Sequence, residues 1–171
     1  MQRPAPDEYY NYYHGYISQT SETEDVLKLM DSQPGHLRSI LEGSPEDKGL
    51  YAYAQGKWSI KELLSHIIDG ERIFAYRVLR ISRGDETPIE GFEQDQYIEN
   101  SNANTRTFAD LLEEFELVRR SNMLMLRNMS EADAARMGTA SDKSVSARAI
   151  VYIMAGHVTH HANILKERYL V

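Results

Sequence analysis

The sequence contains no cysteine. Disulfides, thiolate metal sites and a cysteine nucleophile are thereby excluded, so any metal must rest on nitrogen and oxygen ligands. It also lacks an unbroken apolar run long enough to cross a bilayer, because charges interrupt the longest candidates every few residues. Residues Met1 to Tyr16 hold Pro4, Pro6, Asp7, Glu8 and a cluster of tyrosines instead of a basic stretch followed by an apolar one. The expectation is a soluble, cytoplasmic protein with no membrane partner. Positive charge is scarce: 19 Lys and Arg face 26 Asp and Glu, a formal net charge of -7. That balance opposes a nucleic-acid partner, which normally requires a basic surface. Strand-like alternation rich in β-branched residues is absent almost everywhere, which leaves an all-α reading. The 171 residues are enough to enclose one hydrophobic core, so 1–171 is read as one domain.

What is present is helical period. Val26, Leu27, Leu29, Met30, Leu37, Ile40 and Leu41 recur at helical spacing, but Gln33-Pro34-Gly35 interrupts them. Proline removes a backbone donor and clashes with the preceding turn, so two short abutting helices are expected there. Ser59-Ile60-Lys61-Glu62 fits a capping box and opens a helix carrying Leu63, Leu64, Ile67, Ile68, Ile73, Phe74, Val78 and Leu79, with Gly84 as its stop. Thr107-Phe108-Ala109-Asp110 opens the next helix as a second capping box, and that helix ends near Asn128. A short helical turn follows Ser130, and a last helix runs from about Ser144 to Tyr169. The result is a four-helix bundle.

The connection from Gly84 to Thr107 is far longer than the two to eight residues that usually join adjacent antiparallel helices. The helix before it is on the order of 35 Å long, and an extended segment of this size can run back along it. The second and third main helices are then parallel, an up-down-down-up bundle with one long crossover.

The chemistry lies in what interrupts the apolar stripes. On the last helix the inward row reads Ile150, Ile153, Met154, His157, His160 or His161, Ile164, Leu165. At about 100° per residue, His161 lies about 40° round the helix from His157 and His160 about 60° on the other side. His161 is therefore the better partner for one shared ion. His66 falls beside Leu63, Ile67 and Ile73 and is also directed inward. An i, i+4 histidine pair is a weak motif, and a lone inward histidine is more often a hydrogen-bonded core residue. Three inward imidazoles are different, because burying them without partners is costly and one ion satisfies all three. His66, His157 and His161 are thus the candidate ligands of one divalent metal, with zinc or nickel expected and iron, manganese or copper also compatible with imidazole.

The run Gly56-Lys57-Trp58-Ser59-Ile60-Lys61-Glu62 with His66, then Asp69-Gly70-Glu71-Arg72-Ile73 and Arg77, resembles the DinB and YfiT-like family of metal-dependent proteins. Ala155-Gly156-His157 through His161-Ala162-Asn163-Ile164-Leu165 is similar too, as are Arg83-Gly84-Asp85, Thr87-Pro88 and Gly91-Phe92-Glu93-Gln94-Asp95. The likeness runs from Tyr13 onward. It implies a four-helix bundle with parallel central connectivity and a three-histidine metal site on His66, His157 and His161. It also implies either thiol-dependent S-transfer or isomerisation, or chemistry without assignment.

Three neutral ligands leave a coordination position at which a water or a thiol is acidified. With no cysteine in the chain, the thiol route requires a low-molecular-weight thiol co-substrate, and the water route gives a hydrolase. Both remain open, as does a non-catalytic bundle with a structural, stress-response or metal-sensing role. A small-molecule substrate and a homodimer are the expected partners. Asp69 is a candidate for orienting a ligand or substrate, and His160 for moving protons at the site mouth. Arg72 and Arg77 are candidates for an anionic substrate, although salt bridges with Glu71 or Asp69 are the commoner fate. The arm 1–18, with Tyr9, Tyr10, Tyr12, Tyr13 and Tyr16, is expected to pack on the bundle and is placed to roof a pocket.

Overall fold

A computed structural model describes residues 1–170. Its helices are α1 (His14–Ile17), α2 (Val26–Leu41), α3 (Ile60–Ser82), α4 (Gln94–Glu99), α5 (Phe108–Arg127), α6 (Glu131–Ala134) and α7 (Ala147–Ile164). A hairpin of β1 (Met137–Ala140) and β2 (Lys143–Ser146) precedes α7, which continues as a π-helical turn over Leu165–Tyr169. Among the described residues no helix is long and apolar enough to cross a membrane.

The four long helices begin where a side chain satisfies an orphan amide. Asp25 accepts from Leu27 N, Ser59 Oγ from Glu62 N, Thr107 Oγ1 from Asp110 N and Ser146 Oγ from Ala149 N. At Ser59 the box is complete, with Glu62 Oε2 accepting from Ser59 N at 2.7 Å. At Thr107 only half of it forms, because the Asp110 carboxylate takes the Arg106 guanidinium instead. Gly84, with φ of 79°, follows α3 as its stop.

The pairs that join the helices set their directions. From α3 to α5, Lys61 lies over the Phe108 ring, Arg72 meets Glu114, and Glu71 meets Arg119 and Asn122, so these helices run parallel. From α2 to α5, Arg38 pairs with Glu116 and Asp31 with Arg127, an antiparallel order. From α2 to α7, Gln33 reaches Ala155 and His36 reaches Lys166, a parallel order. The topology is up-down-down-up. The crossover is not wholly extended: it contains α4 and a 3-10 turn at Ala103–Thr105, and Ile89 exchanges hydrogen bonds with Thr139 and Ser141 beside the hairpin.

Three local expectations are corrected. Helix α2 is continuous through Pro34, because the carbonyl four residues back, on Met30, accepts from Arg119 Nη1 at 2.8 Å. A side chain thus replaces the donor that proline lacks. The hairpin lay outside the all-α reading; its two-residue turn, Ser141-Asp142, has φ of 50° and 60° and lacks the Asn-Gly or Asp-Gly pair that marks such turns. Leu79, placed on the inward stripe of α3, is exposed.

The apolar core divides into two clusters. One holds Met30, Phe74, Met123 and Ile150–Ala155; the other holds Leu37, Ile68, Phe115 and Val158. On each long helix a polar side chain stands at the break: Gln33, Glu71, Arg119 and His157. Arg119, 1% exposed, grips Glu71 with two bonds of 2.8 Å and donates to Gln33 Oε1 at 2.7 Å. Gln33 Nε2 in turn donates to Ala155 O at 2.7 Å. This layer fixes α2, α3, α5 and α7 relative to one another at the level of the histidines.

Candidate metal centre

Helix α3 supplies His66, and α7 supplies His157 and His161 one turn apart. Because α3 and α7 are antiparallel neighbours, the three rings meet between them. His157 Nε2 lies 2.9 Å from His66 Nε2 and 3.1 Å from His161 Nε2, and one ring nitrogen from each residue lies within 4.8 Å of the others. All three side chains are buried. Close approach depends on glycine: a Cβ at Gly70 would stand 2.9 Å from His157 Cε1.

The electrostatics keep the rings neutral. Burial pushes His66 down to about 4, against an opposing pull from Asp95. Burial also drives His157 and His161 well below the ordinary histidine value, with mutual repulsion adding to it. Neutral imidazole is the ligand form. His157 Nε2 belongs to both short contacts and carries at most one proton, so a hydrogen-bond chain satisfies the cluster poorly. His161 Nδ1 is buried without a partner among the described residues. Three convergent lone pairs fit one shared cation, and no other His, Asp or Glu joins the group among the described residues.

Aromatic rings enclose the centre. Trp58 tilts against His66 at 4.6 Å between ring centroids, Phe74 packs on His157 at 5.6 Å, and Tyr16 meets both His157 and His160 at 5.5 Å. A cleft of about 630 Å³ reaches His66 and His157 between the tyrosine arm and the crossover. A smaller groove of about 330 Å³ reaches His161 past Trp58 and Tyr169, and Gln94 lines both.

The structure brings His66, His157 and His161 together and places the other candidates elsewhere. His160 sits beside His161, 5.1 Å between centroids, under Tyr16, and does not line the cleft. Asp69 lines a separate groove with Gln96, Asn100 and Glu114 and has no hydrogen bond to a histidine among the described residues. Burial raises its pKa, Arg72 opposing and Glu114 adding. Asp69 falls about 60° round α3 from His66, enough to turn it toward the crossover. Arg72 pairs with Glu114 and not with Glu71 or Asp69, while Arg77 enters the cleft wall without a carboxylate partner within 4 Å among the described residues.

The polar layer of Gln33, Glu71 and Arg119 escaped the reading of the sequence. Its signal was available: Arg119 lies midway between Phe115 and Met123 at core spacing, and Glu71 lies four residues after Ile67, so opposite charges occupy inward positions on two helices.

No curated protein sequence matches the chain. Among solved structures, YfiT from Bacillus subtilis, described as a probable metal-dependent hydrolase with an unusual four-helix bundle topology, shares the fold. The TM-score is 0.76 at 15% identity, over 86% of this chain and 89% of that one. The family model of the DinB superfamily matches residues 29–165, which include all three histidines and the four long helices save the first residues of α2. The chain belongs to the DinB superfamily.

Proposed function

We propose that His66, His157 and His161 hold one divalent metal ion, zinc or nickel, and that the protein is a metal-dependent hydrolase of a small molecule. The observation that carries this reading is the convergence of three neutral imidazoles, two of which, His66 and His157, line a cleft of about 630 Å³, with no fourth protein ligand beside them among the described residues. Structural zinc sites are usually closed by four protein ligands, whereas catalytic ones keep a position free. When bound, the ion supplies Lewis acidity and lowers the pKa of a coordinated water toward neutrality. The chain supplies the rest. The histidines present lone pairs because burial keeps them unprotonated, Phe74 and Trp58 hold two of the rings in place, and Tyr16 covers the cluster from the arm. The description of YfiT as a probable hydrolase supports the same class.

The competing chemistry is S-transfer, which in a chain without cysteine requires a small thiol from outside, and one experiment separates the readings. Metal-free, zinc-loaded and nickel-loaded protein is assayed beside His157→Ala on an activated ester and on an electrophilic thiol acceptor, with and without a small thiol. Turnover of the ester that requires metal and no thiol supports hydrolysis. Turnover requiring metal and saturating with thiol supports transfer. Rates that are equal in His157→Ala and the loaded protein return the site to a structural or sensing role. For the homodimer, the exposed Leu117 and Leu124, two turns apart on α5, mark the surface where we propose it forms.

A further inference from the structure

The cleft has a second polar feature besides the histidines. Arg77 is 4% exposed and lies on the same stripe of α3 as His66. Eleven residues separate them, about 20° round the helix and about 16 Å along its axis between Cα atoms. Phe74 stands between, its ring edge-to-face with His157 and the Arg77 guanidinium 5.9 Å from its centroid; Phe92 flanks the guanidinium at the same distance. Arg77 Nη2 donates to Glu90 O at 3.1 Å and to Ser141 Oγ at 3.0 Å, but Nε is buried with no hydrogen-bond partner among the described residues. No carboxylate lies within salt-bridge distance of it among the described residues.

Among the arginines on this side of α3 that isolation is specific to Arg77. Three arginines line this side of α3, and the other two are taken: Arg72 by Glu114 at 2.6 Å and Arg80 by Asp85 at 2.6 Å. A buried guanidinium keeps its charge, and one left with spare donors and no counter-ion is costly. Burial works against its charged form, with the neighbouring Tyr13 opposing. Hydrogen bonds to one carbonyl and one hydroxyl satisfy part of its fork and none of its charge. An anion entering the cleft supplies both.

We propose that Arg77, with Ser141, is the anion-recognition subsite of this cleft, and that the substrate carries a carboxylate separated by an apolar spacer from the bond that reacts beside the histidines. The proposal deepens the hydrolase reading and rests on it for the location of the reacting bond. A carboxylate is favoured over a phosphate because one guanidinium faces the cleft while Glu93 stands on its lining, which matches a single negative charge. The Phe74 and Phe92 faces suit the apolar spacer. Arginine is the side chain for planar, two-pronged recognition of a carboxylate.

The test is a calorimetric titration with phenylacetate, the neutral phenylacetamide and phenyl phosphate. Each is run on metal-free and zinc-loaded wild-type protein, Arg77→Gln, Arg77→Lys and His157→Ala. The metal-free arm matters because a bound ion can itself attract a carboxylate. In metal-free wild type, phenylacetate is expected to bind at least tenfold more tightly than phenylacetamide and more tightly than phenyl phosphate. Arg77→Gln is expected to erase that preference with zinc content unchanged, Arg77→Lys to keep part of it, and His157→Ala to keep all of it while losing zinc. Equal affinity of the metal-free wild type for phenylacetate and phenylacetamide overturns the subsite without any reliance on a variant that must fold. So does full phenylacetate binding by Arg77→Gln. A tenfold preference for phenyl phosphate overturns the carboxylate assignment. Full retention of zinc by His157→Ala overturns the metal reading alone, and the two failures are therefore separable.

Discussion

Gly156 lies directly under the carbonyl of Tyr16: a Cβ built on the glycine would stand 1.9 Å from that oxygen. The contact is between the backbone of the arm and the middle of α7, next to His157. Gly156→Ala therefore forces either the arm or the helix to move, since the atom in the way is backbone and not the end of a flexible side chain. Overpacking of this kind costs about 1–3 kcal/mol or more. The expected outcome is a lower melting temperature together with faster proteolytic cleavage before Ser18, because the segment carrying Tyr16 is levered off. Unchanged proteolysis would show that α7 absorbs the strain instead.

Gly70 plays the equivalent part on α3. Its missing Cβ leaves the space that His157 Cε1 occupies, 2.9 Å away from where the methyl would be. Gly70→Ala pushes the ring, and three converging nitrogens tolerate little displacement. Metal affinity is expected to fall at least tenfold by competitive chelator titration, while the fold is retained. Gly35→Ala is the control: nothing lies within 4 Å of its added Cβ, and an interior helical alanine stabilises by about 0.5–1 kcal/mol relative to glycine.

The histidines make a prediction about acid. Their pKa values are lowered in the folded protein, to about 4 for His66, from the ordinary 6.5. Between those values the unfolded chain binds protons that the folded chain refuses, so the stability of the metal-free protein rises with pH across this window. It is fully present above about 6.5 and is lost as pH falls toward 4. Urea midpoints measured from pH 4.5 to 7 should climb, and His66→Leu should flatten part of the climb. A slope of the same size in the variant would assign it to other groups.

The other titrating anchor is Glu8. Burial raises its pKa, but hydrogen bonds from Arg148 and from Ala5 N outweigh that and hold it at about 2. The stability it contributes is present above the ordinary 4.5 and lost as pH falls from there toward 2. Glu8→Gln should remove that part of the acid sensitivity and loosen the arm at neutral pH.

How much of this was readable in the sequence depends on whether a feature is local. Ser59 and Glu62 cap α3 as their spacing suggests, and His157 and His161 share a face because four residues bring them there. The crossover was legible from length alone. Pro34 was misread because its remedy, Arg119, comes from a residue 85 positions later on another helix. Asp69 looked like a companion of His66, being one turn away, but the helix turns it into the groove under α4. Arg77 was legible as a candidate for an anionic substrate, but no more so than Arg72, which the structure pairs with Glu114. The lack of a counter-ion at Arg77 is a fact about the crossover and the hairpin folded around it.

The link between Arg119 and Pro34 can be measured as a coupling. Arg119→Met leaves Glu71 buried with its charge uncompensated and strips the Met30 carbonyl of its donor. Removing one partner of a buried ion pair costs about 3–5 kcal/mol. Pro34→Ala restores a backbone N–H four residues after Met30, the donor that a helix would ordinarily aim at that carbonyl. In the wild-type background the carbonyl already accepts from Arg119, so the new donor gains little there. In the Arg119→Met background it is the only donor available, and satisfying a buried carbonyl is worth about 1–3 kcal/mol. Denaturant unfolding of the two single variants and the double variant should therefore give a non-additive cycle, with Pro34→Ala more stabilising by about 1 kcal/mol when Arg119 is absent. Glu71→Gln serves as the comparison, since it relieves the stranded charge without touching the carbonyl. If Pro34→Ala changes stability equally in both backgrounds, the continuity of α2 through the proline does not depend on Arg119, and the guanidinium serves Glu71 and Gln33 alone.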